Sequence, residues 1–189
     1  MKTFLLAFGA AMMLTHTVMG STLVYDASLT GAESGSSGSG MATVTINNVA
    51  NTMDVMVVFS GLTSGTTASH IHCCTASPGT GTAGVATAVP TFPGFPLGVT
   101  SGTYNSTFDL TLTSTYNPSF VSANGGTAAD AEAALLAGLA ADTAYLNIHT
   151  TNFPKGEISG FLVSVPEPAT VLLTAAALGG FLLRRRARR

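Results

Sequence analysis

The sequence predicts a mainly β protein: an antiparallel β-sandwich with one short helix, preceded by an N-terminal signal helix and followed by a C-terminal transmembrane helix. Three observations predict it. Apolar residues alternate with threonine, serine and other small or polar residues in one short segment after another, the period of a strand with one buried face. Glycine, proline and asparagine clusters separate these segments at turn-like intervals, as in all-β domains. A single stretch near residue 130 replaces the alternation with an alanine- and leucine-rich run suited to a helix.

The elements follow in chain order. Met1-Lys2 is a basic start, residues 4–14 are apolar, and small and polar residues lead to Val18-Met19-Gly20-Ser21. That is the order of a secretory signal peptide, with cleavage expected between Gly20 and Ser21, so residues 1–20, His16 among them, are set apart from the folded domain expected over residues 21–164. Leu23, Tyr25, Ala27 and Leu29 mark a first strand, and residues 31–40 form a Gly/Ser-rich loop. Ala42, Val44 and Ile46 mark a second strand; Met53, Val55, Val57 and Phe59 mark a third that Gly61 ends. Residues 68–74 are short and β-like and carry two histidines, and residues 85–89 read as a further strand. Residues 90–102, with three prolines, are a long covering loop anchored by Phe92, Phe95 and Leu97. Tyr104, Ser106, Phe108, Leu110 and Leu112 share one face of the next strand. Thr127 is placed to cap the helix, with Asp130 and Glu132 near its positive end, and the helix runs to about Ala140. Ala144, Leu146 and Ile148 then alternate with Tyr145, Asn147 and His149; residues 152–156 turn, and residues 157–163 are the last strand.

Charge narrows the function. The whole chain carries −2, but five of its seven basic residues lie at the C-terminus and another is Lys2. The domain keeps Lys155 against eight acids, a net charge of about −7. Such a domain will not seek phosphate backbones, so no nucleic-acid partner is expected. The acids are scattered, without the spacing of a Ca²⁺ loop. No G-x-S-x-G elbow, P-loop or paired carboxylate occurs, so the sequence predicts neither an enzyme nor a catalytic residue. Cys73 and Cys74 are the only cysteines, too few for a disulfide framework, and a bond between them is not expected, because neighbouring Cα atoms are about 3.8 Å apart across a trans peptide.

The C-terminus, residues 165–189, has its own grammar. Val165-Pro166-Glu167-Pro168 breaks a strand, residues 169–183 are uncharged, and Arg184, Arg185 and Arg186 open a basic end over residues 184–189. An apolar run stopped by arginines reads as a helix halted at the cytoplasmic face, although it is shorter than the ~20 residues that span a typical bilayer. The three parts, in this order, resemble the PEP-CTERM sorting signal. The resemblance implies an exosortase-type processing protease as partner, passage through the inner membrane, and a destination at the cell surface or in exopolysaccharide, possible partners there being the polysaccharide or surface proteins.

Ser69-His70-Ile71-His72 and Tyr145-Leu146-Asn147-Ile148-His149-Thr150, followed by Phe153-Pro154-Lys155-Gly156-Glu157-Ile158-Ser159-Gly160, resemble the CHRD domain. The resemblance spans roughly residues 22–163 and implies an extracellular β-rich interaction or structural module, with no cofactor. Cys73-Cys74 departs from it where a small residue such as glycine is expected. The histidines have two readings. Alternation puts His70, His72 and Cys74 on one face of a strand and Ile71 and Cys73 on the other, while His149 points outward beside Ile148. H-x-H with a nearby sulfur is a zinc or copper ligand pattern, which makes His70, His72, Cys74 and His149 candidate ligands. The other reading is structural, with the rings hydrogen-bonded to backbone or to each other. H-x-H is also similar to part of the copper–zinc superoxide dismutase ligand set, but the further histidines of that family are not evident, and no dismutase chemistry is expected.

Overall fold

The computed structural model describes residues 22–166. The expected signal peptide with its Gly20/Ser21 cleavage site, and the expected transmembrane helix with Glu167, Pro168 and the arginines, lie outside the described residues. Among the described residues no helix is long and apolar enough to cross a membrane.

The alternation sets the strands and their register. β1 (Thr22–Thr30), β2 (Ser39–Asn47), β3 (Thr52–Ser60) and β5 (Gly102–Asp109) form a continuous antiparallel run. Tyr25 faces Val44, Ala27 faces Ala42, Val44 faces Val55, Ile46 faces Met53 and Met53 faces Phe108. A one-residue slip would turn every one of these side chains to solvent, so burial fixes the pairing. β4 (Thr66–His72), β6 (Tyr145–Thr150) and β7 (Ile158–Phe161) make the other wing, and β8 (Val163–Val165) pairs with β1.

The two wings are not the separate sheets of the expected sandwich. They belong to one eight-stranded curled sheet in the order β4-β6-β7-β1-β2-β3-β5, with β8 also on β1. The join is the second edge of β1: Thr30 bridges to Ser159 of β7, and Val24–Asp26 take β8. Curling brings Ile71, Leu146, Ile148 and Ile158 of one wing into the same core as Tyr25, Val44, Val55 and Phe59 of the other. β8 also takes in Val165, one residue beyond the expected domain limit, and ends where Pro166 removes a donor.

Two helices, not one, close the core. α2 (Ala128–Ala140) is the expected helix; Thr127 Oγ1 accepts from Asp130 N at 3.2 Å, and Ala131, Leu135 and Leu139 are buried. α1 (Pro118–Ala123) was not expected. It is too short for a periodic signal, yet it has Asn117 as N-cap and Pro118 at its first position. The strand expected over residues 85–89 forms only single bridges, His72 to Val85 and Thr87 to Tyr116. In the covering loop Phe92 and Phe95 are buried as expected, but Leu97 is exposed.

Glu157 holds four segments together. Its carboxylate accepts from Ser36 Oγ at 2.7 Å, Thr63 N at 2.6 Å and Thr150 Oγ1 at 2.6 Å. Burial opposes its ionisation, but these hydrogen bonds outweigh burial and hold its pKa below the usual carboxylate value. It is a structural clamp built from hydroxyl and backbone N–H donors.

A candidate three-histidine metal centre

β4 is the outermost strand of its wing, and the chain between Ala83 and Phe92 runs along its free edge. Cys73 N donates to Gly84 O at 3.0 Å, Ala86 N to Ile71 O at 2.9 Å, Ile71 N to Thr87 Oγ1 at 3.0 Å, and Phe92 N to Ser69 O at 3.1 Å. The exposed edge is thus satisfied without a regular strand. The same segment brings two carbonyls, of Ala83 and Pro90, over the face that carries the histidines.

On that face β4 presents His70 and His72, and β6 presents Tyr145, Asn147 and His149. His72 is registered with Tyr145, His70 with Asn147, and Ala68 with His149. Ala68 has no ring, which leaves the diagonal between His149 and His70 open. The Tyr145 ring stacks on His72 at 4.8 Å between centroids. The face is not the open outer surface that alternation suggested: His70 is 6% exposed and His72 8% exposed, because the edge segment covers them. His149 is half-buried and forms the solvent side.

Each ring uses one nitrogen on a backbone carbonyl. His70 Nε2 lies 2.6 Å from Pro90 O, His72 Nδ1 2.9 Å from Ala83 O, and His149 Nδ1 3.0 Å from Pro154 O. A carbonyl only accepts, so each of these nitrogens carries the proton and donates it. The remaining nitrogens, His70 Nδ1, His72 Nε2 and His149 Nε2, are therefore lone-pair acceptors in the neutral rings. Burial, first of all, keeps the rings neutral by lowering all three pKa values, His70 to about 4, although each carbonyl partner pulls the other way.

The three acceptors converge, all within 4.8 Å of one another. His70 Nδ1 and His149 Nε2 are 3.3 Å apart, yet neither has a proton to share. His72 Nε2 is buried with no hydrogen-bond partner. Buried acceptors facing each other without a donor are costly unless something positive sits among them. Two nitrogens bound to one zinc at about 2.0–2.1 Å with tetrahedral angles lie roughly 3.3–3.4 Å apart, which is the His70–His149 separation. Imidazoles whose other nitrogen donates to a fixed carbonyl are the usual metal-ligand arrangement.

Of the four candidate ligands, the structure brings together His70, His72 and His149 and leaves Cys74 out. β4 ends at His72, so strand alternation no longer governs residue 74. Cys74 is instead bonded to Cys73 across a cis peptide that brings the two Cα atoms to 3.0 Å, correcting the expectation of free thiols, which assumed a trans peptide. The residues that hold the centre were partly legible. Tyr145 and Asn147 alternate with His149 and so had to share its face, whereas the carbonyls of Ala83, Pro90 and Pro154 leave no trace in side-chain chemistry. Asn147 is buried; its Nδ2 donates to Lys155 O at 3.1 Å and its Oδ1 has no partner.

The CHRD domain family model matches residues 25–162, most of the chain and nearly all of the described fold. No curated protein and no solved structure matches it. The match takes in the H-I-H of β4, the Y-L-N-I-H-T of β6 and the turn that supplies the Pro154 carbonyl, and the chain belongs to the CHRD domain family.

Proposed function

We propose that this protein is an exported CHRD-domain protein whose domain holds one zinc or copper ion among His70, His72 and His149. The observation that supports the reading is the convergence of three acceptor nitrogens, with His72 Nε2 buried and without a donor. The test is metal content. The purified protein, equilibrated with Zn²⁺ or Cu²⁺ and freed of excess, is expected to retain about one ion per chain by elemental analysis, and His72→Ala or His149→Ala to retain far less. Cys74→Ser is expected to keep the ion. Sub-stoichiometric metal that His72→Ala does not change would dismiss the centre.

Delivery is the second half of the reading and rests on the chain ends. A signal peptide over residues 1–20 sends the chain to export, and the PEP-CTERM-like end over residues 165–189 engages an exosortase-type protease in the inner membrane, leaving the domain at the cell surface or in exopolysaccharide. Mass spectrometry of the C-terminus of the native protein is expected to find it processed between Val165 and Arg184. An intact Arg189 would reduce this end to a plain anchor.

A non-enzymatic interaction or structural module remains the second reading. It is favoured by the apolar outer face of β2 and β3, where Met41, Met56 and Val58 are about half exposed and Met41 is registered with Val58.

A further inference from the structure

We infer that the ion in this centre is held with a small monovalent anion as its fourth ligand: hydroxide in plain water, and azide or cyanide when one is supplied. The inference rests on the metal reading above and adds the class of ligand that completes the site.

The donor count comes first. Only three protein nitrogens converge among the described residues, whereas a closed structural zinc site uses four protein ligands. One tetrahedral position is left to a ligand from solution. Charge then selects that ligand. Each imidazole donates its one proton to a carbonyl and offers one lone pair to the centre, and among the described residues no carboxylate belongs to the cluster. A divalent ion here would place an uncompensated +2 beside two rings that are more than nine-tenths buried. The solvation cost of a buried charge grows with its square, so one bound anion cuts that cost to about a quarter. A neutral fourth ligand would leave it whole. Water entering the position would therefore give up a proton to solvent and remain as hydroxide.

Access agrees with a small anion. The rings of His70 and His72 are closed over by the Ala83–Phe92 segment, and the Tyr145 ring lies against His72. Half-buried His149 is the most open of the three rings and leaves room only on its own side.

The test uses the full chain, stripped with a chelator and reloaded with Co²⁺, whose visible spectrum reports coordination. Uptake of Co²⁺ with the intense absorption of a four-coordinate ion tests the centre itself. Titration with azide tests the anion: a saturable change in that spectrum is expected, and azide at about ten times its dissociation constant is expected to tighten Co²⁺ binding on the order of tenfold, by linkage. Co²⁺ bound with a spectrum and affinity that excess azide and cyanide leave unchanged would overturn the inference and leave the three-histidine site standing. No uptake of Co²⁺ would remove the site and the inference together.

Discussion

Tyr145 does two jobs for His72. Its ring stacks on the imidazole, and its hydroxyl lies 3.2 Å from Ala83 N, donor to that oxygen, in the same residue whose carbonyl accepts from His72 Nδ1. The hydroxyl therefore steadies the group that fixes the tautomer, while the ring fixes the plane. Tyr145→Phe keeps the ring and removes the hydroxyl. It is expected to weaken zinc binding by about 10-fold, the low end of the range for such supporting residues, without changing the fold. Competition against a chelator of known affinity measures it, and an unchanged affinity would mean that Ala83 needs no such support. At this scale the sequence was informative about ring nitrogens and silent about carbonyls. H-x-H and a later histidine name the donors, but which nitrogen each ring offers depends on backbone atoms that every residue has. Cys74 shows the opposite failure: its chemistry suited a ligand, and the end of β4 at His72 turned it elsewhere.

Among the elements, α2 rests against the paired cysteines at a single glycine. A Cβ built on Gly138 would run into both Cys73 Sγ and Cys74 Sγ. Gly138 is buried within the helix, where alanine would ordinarily add about 1 kcal/mol of helix propensity. Overpacking at such a contact costs about 1–3 kcal/mol, so Gly138→Ala is expected to lower the melting temperature in spite of the better propensity. A higher melting temperature would show that α2 can shift off the sulfurs. The strands and α2 were legible because each has a repeating face or a cap: Thr127 before an alanine-rich run, Val44 and Ile46 between threonines. α1 is six residues long and has only its cap, and residues 85–89 alternate like a strand but meet β4's edge irregularly, through Ala86 N, Thr87 N and the Thr87 hydroxyl, instead of through a regular ladder.

For the whole molecule, alternation told which face of each strand is buried but not which edges meet. A sandwich and one curled sheet use the same pattern, and the difference lies in the shared second edge of β1, a matter of a few backbone hydrogen bonds. The buried histidines also tie global stability to pH. Their pKa values are lower in the folded, metal-free protein than the ordinary 6.5, His70 reaching about 4, with burial the largest cause. The unfolded chain then binds more protons than the folded one, so their contribution is complete above pH 6.5 and is lost as pH falls toward 4. For nearly buried His70 alone this is on the order of 3 kcal/mol. Urea midpoints of the metal-free protein are expected to drop steadily across that window; a flat profile would mean that the rings protonate without disturbing the fold.

The carbonyls that orient the histidines come from two stretches of chain, the edge segment with Ala83 and Pro90 and the turn with Pro154, and the rings themselves from two strands far apart in sequence. His149 joins His70 and His72 only where β4 and β6 have paired. The cluster therefore needs the folded sheet, with nothing like it in an extended chain. A polypeptide threaded through a membrane unfolded would leave its metal behind, and its ion would have to be drawn from whatever the destination holds. On the export and the metal centre proposed above, the chemistry of the site would then record the metal supply outside the cell, not the supply within.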